Sequence, residues 1–170
     1  MSASNIRRCP SPDPLPPRLF NFTLIRSSRG PRGAFSARDL ERLAAFVLDA
    51  EKVRGPVELT LDVTGHKRIR ELNRRFRGVD RPTDVISFRN DISAGRHGGL
   101  PLLVGDIAIN VHQAVLQAKK MRHSTRREMR LLLIHGILHL LGYTDYESRP
   151  RRRMFKRQNA LLRSWERMHP

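Results

Sequence analysis

Residues Leu131–Asp145 read LLLIHGILHLLGYTD, and His135 and His139 are the only polar side chains in that run before Tyr143. A spacing of four carries an α-helix through roughly 400° and raises it about 6 Å, so both imidazoles leave the same face. Leu131, Leu132, Leu133, Ile134, Ile137, Leu138, Leu140 and Leu141 surround them without a polar face, the pattern of a helix buried on every side. A buried imidazole with no partner costs a few kcal/mol. One divalent metal satisfies both rings, since neutral imidazole is the commonest side-chain metal ligand. Gly142 supplies the left-handed residue that ends such a helix, after which the chain can double back and present Asp145. Two nitrogens and one carboxylate leave a fourth position open, as catalytic zinc sites do.

The same spacing also suits two ordinary histidines bonded to backbone or carboxylate. The apolar helix, the terminating Gly142 and the acid just beyond it favour the metal. A zinc-protease signature, H-E-x-x-H, needs a Glu after the first His as general base. Here that position is Gly136, which removes the base and argues against a metalloprotease.

Composition points to the partner. The chain of 170 residues suits one domain with a single core. Its net charge is +17, from 33 basic and 16 acidic residues, which predicts attraction to polyanions. One Trp, two Tyr and seven Phe are too few for extensive base-stacking platforms, so phosphate contact is the expected source of affinity. The lone cysteine, Cys9, excludes an internal disulfide and a Cys-based zinc site, and fits a reducing compartment. No run reaches the ~18 apolar residues of a membrane span, and no signal-peptide core is visible. A cytoplasmic protein with no membrane partner is expected.

Along the chain, residues 1–17 are polar and proline-rich and read as a disordered leader, followed by one domain over 18–170. Leu19–Ile25 and Val57–Val63 alternate as strands, and Asp84–Phe88 and Leu102–Ile109 read as two more. The last is interrupted by Gly105, where a bulge or a close backbone approach is expected. Asp91–Pro101 is a Gly-rich connection. Ser36 caps a helix reaching about Ala50, and a short helix from Gly65 turns Ile69, Leu72 and Phe76 inward. Further helices run from Val111 to about Met121, from the N-cap Ser124, and from Ser148 onward, the last with Met154, Leu161, Leu162 and Trp165 on one side. Arg149, Arg151, Arg152 and Arg153 crowd the start of that last helix, where positive charge opposes the dipole. An RNA-facing patch accounts for them better than helix stability does. The element order predicts an α/β (α+β) fold: one compact domain, a mixed β-sheet packed by helices, and the metal site on a buried helix.

Three segments taken together resemble the YbeY-type metal-dependent endoribonucleases, the rRNA maturation factors. They are LNRRFRGVDRPTDVISF (Leu72–Phe88), GDIAI (Gly105–Ile109) and HGILHLLGYTD (His135–Asp145), in that order over roughly residues 20–165. The resemblance implies a compact α/β fold holding one zinc in a basic cleft. It implies a single-strand-specific endoribonuclease acting in small-subunit rRNA 3′-end maturation and ribosome quality control, with rRNA as partner and no DNA specificity. The family's first two metal ligands fall on His135 and His139, with His135 also catalytic. Its functional arginine falls on Arg77, expected to contact substrate together with Arg149, Arg151, Arg152 and Arg153. Asp84, Ser87 and Asp106 fall on motif positions that would support the site.

One position departs from the family pattern, which usually ends Asp-His with that histidine as third ligand. This chain has Thr144-Asp145. Asp145 as third ligand is an accepted zinc chemistry at about 2.0–2.2 Å, and its harder oxygen widens metal choice toward manganese or magnesium. The competing reading is a site with two protein ligands and weak metal binding; His112, His123 and Glu147 are poorer substitutes. An alternative function is a non-catalytic RNA-binding ribosome-assembly factor whose metal is structural or absent.

Overall fold

The structure is a computed structural model that describes residues 20–53, 55–92 and 102–169. The expected leader over residues 1–17, Cys9, and residues 93–101 of the Gly-rich connection lie outside the described residues. The strands are β1 (Phe20–Arg26), β2 (Val57–Thr64), β3 (Val85–Ile92) and β4 (Leu102–Asn110). They form one sheet in the order β1-β2-β4-β3, with β1, β2 and β4 parallel and β3 antiparallel to β4. Parallel neighbours need a crossover, and α1 (Ala37–Ala50) provides it between β1 and β2. The other helices are α2 (His66–Arg77), α3 (Val111–Lys120), α4 (Thr125–Leu140) and α5 (Ser148–Met168). The fold is α/β with a mixed sheet.

Helix α4 lies at the centre, packed against α1, α3, α5, β3 and β4. Ser124 caps its start, its Oγ accepting from Arg127 N at 3.2 Å. Arg130 forks onto Asp39 of α1 through two bonds of 2.8 and 2.7 Å. Met129, Leu132, Leu133, Ile134, Ile137, Leu138 and Leu140 join the main core with Leu40, Leu43 and Val47 of α1 and Leu161, Leu162 and Trp165 of α5. The helix is not buried all round, however. Between residues 131 and 140 only Leu131, His135 and His139 escape full burial, and they are four apart. One strip of α4 faces outward, and both histidines stand on it.

Two glycines permit that placement. The β4 register runs unbroken through Gly105, opposite Leu59 on one side and Arg89 on the other, so there is no bulge. Gly105 is needed instead for close approach, because a Cβ there would collide with the Leu140 side chain. A Cβ on Gly136 would come within 2.9 Å of Ile107 Cγ2 and 3.0 Å of Ser87 Oγ. Position 136 therefore faces the sheet, and no acidic general base could be accommodated there.

Since Gly105 faces α4 and Gly136 of α4 faces Ser87 and Ile107, alternation puts Val85, Ser87, Arg89, Ile107 and Ile109 on the α4 face of the sheet. Ile86, Phe88, Asp106 and Ala108 lie on the other, where α2 covers them with Ile69 and Leu72. Phe76, expected inward, is 55% exposed. It sits in the last turn of α2, beyond the small core that Ile69 makes, and its ring meets Phe88 of the sheet at 4.7 Å.

Overpacking a tight helix–sheet contact costs about 1–3 kcal/mol. Gly136→Ala is therefore expected to lose stability of that order, measured by urea denaturation, although alanine is the better helix former. Unchanged stability would mean that α4 has room to move off the sheet.

Candidate metal centre

Sequence places the two histidines on one strip, but three further features aim them. Helix α4 ends in a Schellman turn: Gly142, at φ +90°, lets Gly142 N donate to His139 O and Tyr143 N to Leu138 O, both at 3.0 Å. The turn brings the Tyr143 carbonyl back to His139 Nδ1 at 3.0 Å. A carbonyl can only accept, so Nδ1 carries the proton and Nε2 keeps its lone pair. His135 Nδ1 meets Gln158 Oε1 at 2.8 Å, and Gln158 is buried on α5. Both rings thus turn their Nε2 atoms toward a common point, the outer-sphere arrangement that orients ligand histidines.

The Nε2 atoms stand 3.0 Å apart. Asp145 faces the pair, with Oδ2 at 3.9 Å from His135 Nε2 and Oδ1 at 3.8 Å from His139 Nε2. Among the described residues this is the only group of three side chains arranged to hold a metal ion. Ligands about 2.0–2.2 Å from one tetrahedral cation stand roughly 3.3–3.5 Å apart. The observed separations bracket that value, so His135, His139 and Asp145 fit a divalent cation. The electrostatics agree. Burial pushes the His139 imidazolium below the ordinary 6.5, and His135 and Arg77 push it further down against the opposing pull of Asp145 and the Tyr143 carbonyl. His139 is therefore held in its neutral, ligating form at neutral pH.

The supporting shell reaches across the domain. Tyr143 Oη donates to Glu51 Oε2 at 3.0 Å, and Arg157, next to Gln158, donates to Glu51 Oε1 and to the Ala50 carbonyl. One carboxylate at the end of α1 thereby ties the Tyr143 loop to α5. Burial and Glu51 hold the Tyr143 phenol above its usual value. Phe155 closes the side of the His135 ring, with centroids 5.8 Å apart.

The other expected residues fall at different distances from this centre. Arg77, at the end of α2, lies close enough for its charge to act on His139. Ser87 sits on β3 under Gly136, the residue that follows His135 in α4. Asp84 holds the fold: its Oδ1 accepts from Val85 N and Thr83 Oγ1, and its Oδ2 from Gln117 of α3 at 2.9 Å. Asp106 is on the opposite sheet face, where it accepts from Asn90 at 2.8 Å. Arg149 and Arg153 line a groove with Tyr143, Thr144 and Glu147, on the outside of the loop that carries Asp145. Arg153 lies over the Tyr143 ring and Arg151 over Phe155, at 5.7 and 5.5 Å, and Arg152 is exposed. His123 pairs with Glu128 at 3.1 Å and His112 meets Ser28 Oγ at 3.2 Å, so both are engaged elsewhere.

Sequence reasoning missed Gln158. Its signal was present: an amide on the 154–158–161–165 stripe, where every other member is apolar. The Tyr143 carbonyl left no such trace, because a backbone oxygen has no letter.

A family profile described as Endoribonuclease YbeY matches residues 32–166. The chain is similar to the protein named Endoribonuclease YbeY of Roseiflexus castenholzii, 44% identical over 113 residues, covering 65% of this chain and 70% of the relative. It is 41% identical over 133 residues to the protein of that name from Frankia alni, covering 75% and 74%. A solution structure of a Thermotoga maritima protein superposes with a TM-score of 0.54 at 26% identity, covering 85% of this chain and 88% of that one.

Two measurements check the centre. Losing an outer-sphere partner costs about 10–100-fold in metal affinity, so Gln158→Leu should weaken zinc binding by that factor in a chelator-competition titration while leaving the circular dichroism spectrum intact. In the metal-free protein, the His139 ring should titrate below 6.5 by NMR, remaining neutral at pH 7; a value above 6.5 would place the ring in a polar, unburied setting.

Proposed function

The chain belongs to the Endoribonuclease YbeY family, and on that premise we propose that it is a zinc-dependent, single-strand-specific endoribonuclease. Its substrate is the rRNA of the small ribosomal subunit, in cytoplasmic 3′-end maturation and ribosome quality control. The observation that supports the reading best is the convergence of His135, His139 and Asp145, with both Nε2 atoms turned inward by fixed partners.

His135, His139 and Asp145 would hold the cation, which when bound supplies Lewis acidity toward a phosphoryl oxygen and lowers the pKa of a water toward about 7. Arg77 presents a planar, permanently charged fork to the same phosphate and offsets the charge that builds as the phosphodiester is attacked. Gln158 and the Tyr143 carbonyl keep the imidazoles from rotating and keep their protons on Nδ1. Ser87, packed under Gly136 on β3, would support the site from the sheet side. Arg149, Arg151, Arg152 and Arg153 extend positive charge away from the centre and hold flanking phosphates. With Asp145 in place of a third imidazole the site carries one more negative charge, which favours harder cations such as manganese or magnesium alongside zinc.

His135→Ala is expected to abolish both zinc binding and cleavage of single-stranded RNA. Arg77→Ala should keep the metal yet lower kcat about 10²–10³-fold, the usual effect of removing a donor to developing charge. Asp145→His should retain zinc and narrow the range of activating metals. Metal analysis and cleavage assays with and without chelator read all three. RNA binding that persists without any metal-dependent cleavage would indicate a non-catalytic assembly factor acting through its basic surface.

A further inference from the structure

Two grooves meet at Arg77. One, of about 720 Å³, is lined by Phe76, Phe88, Leu72, Asp62 and Asp106, together with Arg68 and Arg77 of α2. The other, of about 740 Å³, is lined by Val79, Pro82, Thr83, Asp84, Gln117 and Tyr146, again with Arg77. Each volume lies in the range of about 300–1,000 Å³ that suits a small organic group. Each carries one aromatic side chain left largely in solvent: Phe76 is 55% exposed and Tyr146 is 83% exposed. Tyr146 directly follows Asp145, and Phe76 directly precedes Arg77. The two rings therefore line grooves that share Arg77, whose charge reaches His139 of the cation-binding group.

Resting on the nuclease reading above, we infer that Phe76 and Tyr146 are stacking platforms for the unpaired bases on either side of the scissile phosphate, which Arg77 holds between them. The charges argue for bases in the first groove rather than for backbone. Asp62 and Asp106, on the strands β2 and β4, repel phosphate from the sheet side, while Arg68 and Arg77, which attract it, come from α2. A flat π-system fits the face of Phe76, which the Arg75 guanidinium already approaches at 5.3 Å. Stacking on aromatic rings tolerates any base, because every base has a π-face, and it requires that base to be unpaired. A duplex cannot place consecutive bases in two separate grooves. Two aromatic residues, out of the few in the chain, thereby account for single-strand preference without an extended platform.

The test compares wild type, Phe76→Leu, Tyr146→Leu and the double variant on a short single-stranded RNA. Matched strands carry an abasic nucleotide on one or the other side of the mapped cleavage position. Binding is read by fluorescence anisotropy in chelator, and cleavage by kcat/KM with zinc. Each leucine variant should lose roughly 5- to 100-fold on the intact strand. It should lose almost nothing further on the strand lacking its own base, and neither should alter the weaker binding of duplex RNA. Phe76→Trp should restore the first effect. Equal losses on intact and abasic strands would assign these rings to folding alone, and no loss on any strand would remove the platforms; either result overturns the inference. A wild-type protein that cleaves no RNA would instead overturn the nuclease reading, which the same assay reports separately.

Discussion

The structure turns on how closely α4 is pressed to the sheet. At Gly105 and Gly136 the helix meets β3 and β4 with no room for a Cβ, and Leu140 fills the space that Gly105 leaves. That contact, with α1, α3 and α5 packed on other sides, leaves one strip of α4 open to solvent. Both histidines stand on this strip. The constraint fixes their backbone to a rigid element, which makes a metal centre more precise than one built on loops. It also explains why the position after His135 is glycine.

Orientation comes from the chain beyond the helix. The Schellman turn satisfies the last carbonyls of α4 and reverses the chain, and that reversal brings the Tyr143 carbonyl to His139 and Asp145 to the mouth of the site. Glu51 then binds Tyr143 and Arg157 at once, so the loop and α5 keep a fixed relation while Gln158 holds His135. A carboxylate far in sequence from both histidines thus braces the two segments that hold their imidazoles.

Charge is distributed with the same economy. The net charge of +17 is a property of the whole chain, yet individual arginines occupy distinct places. Arg77 lowers the proton affinity of His139, Arg149 and Arg153 edge the outer groove, and Arg89 donates to the Leu140 carbonyl at 3.1 Å, where it complements the helix C-terminus. Asp145 offsets part of this field where a cation would otherwise meet two neutral rings.

The sequence by itself determined the elements and the ligand candidates. Period-two alternation in Val57–Val63, the Ser124 cap, the i, i+4 histidines and Gly142 each reflect local geometry that a few adjacent residues dictate. What local pattern could not express was relation across the fold. Asp106 lies only nineteen positions from Ser87, by numbering, yet strand pairing puts the two on opposite faces of the sheet. Phe76 carries the helical spacing of a core residue, yet its ring meets Phe88 of the sheet and it stays exposed. Gln158 and the Tyr143 carbonyl gained their roles only when α5 and the turn were brought against α4. Local hydrogen bonding and periodicity are written in neighbouring letters; which face meets which, and which oxygen ends beside which imidazole, is set by long-range packing and is decided only in the folded chain.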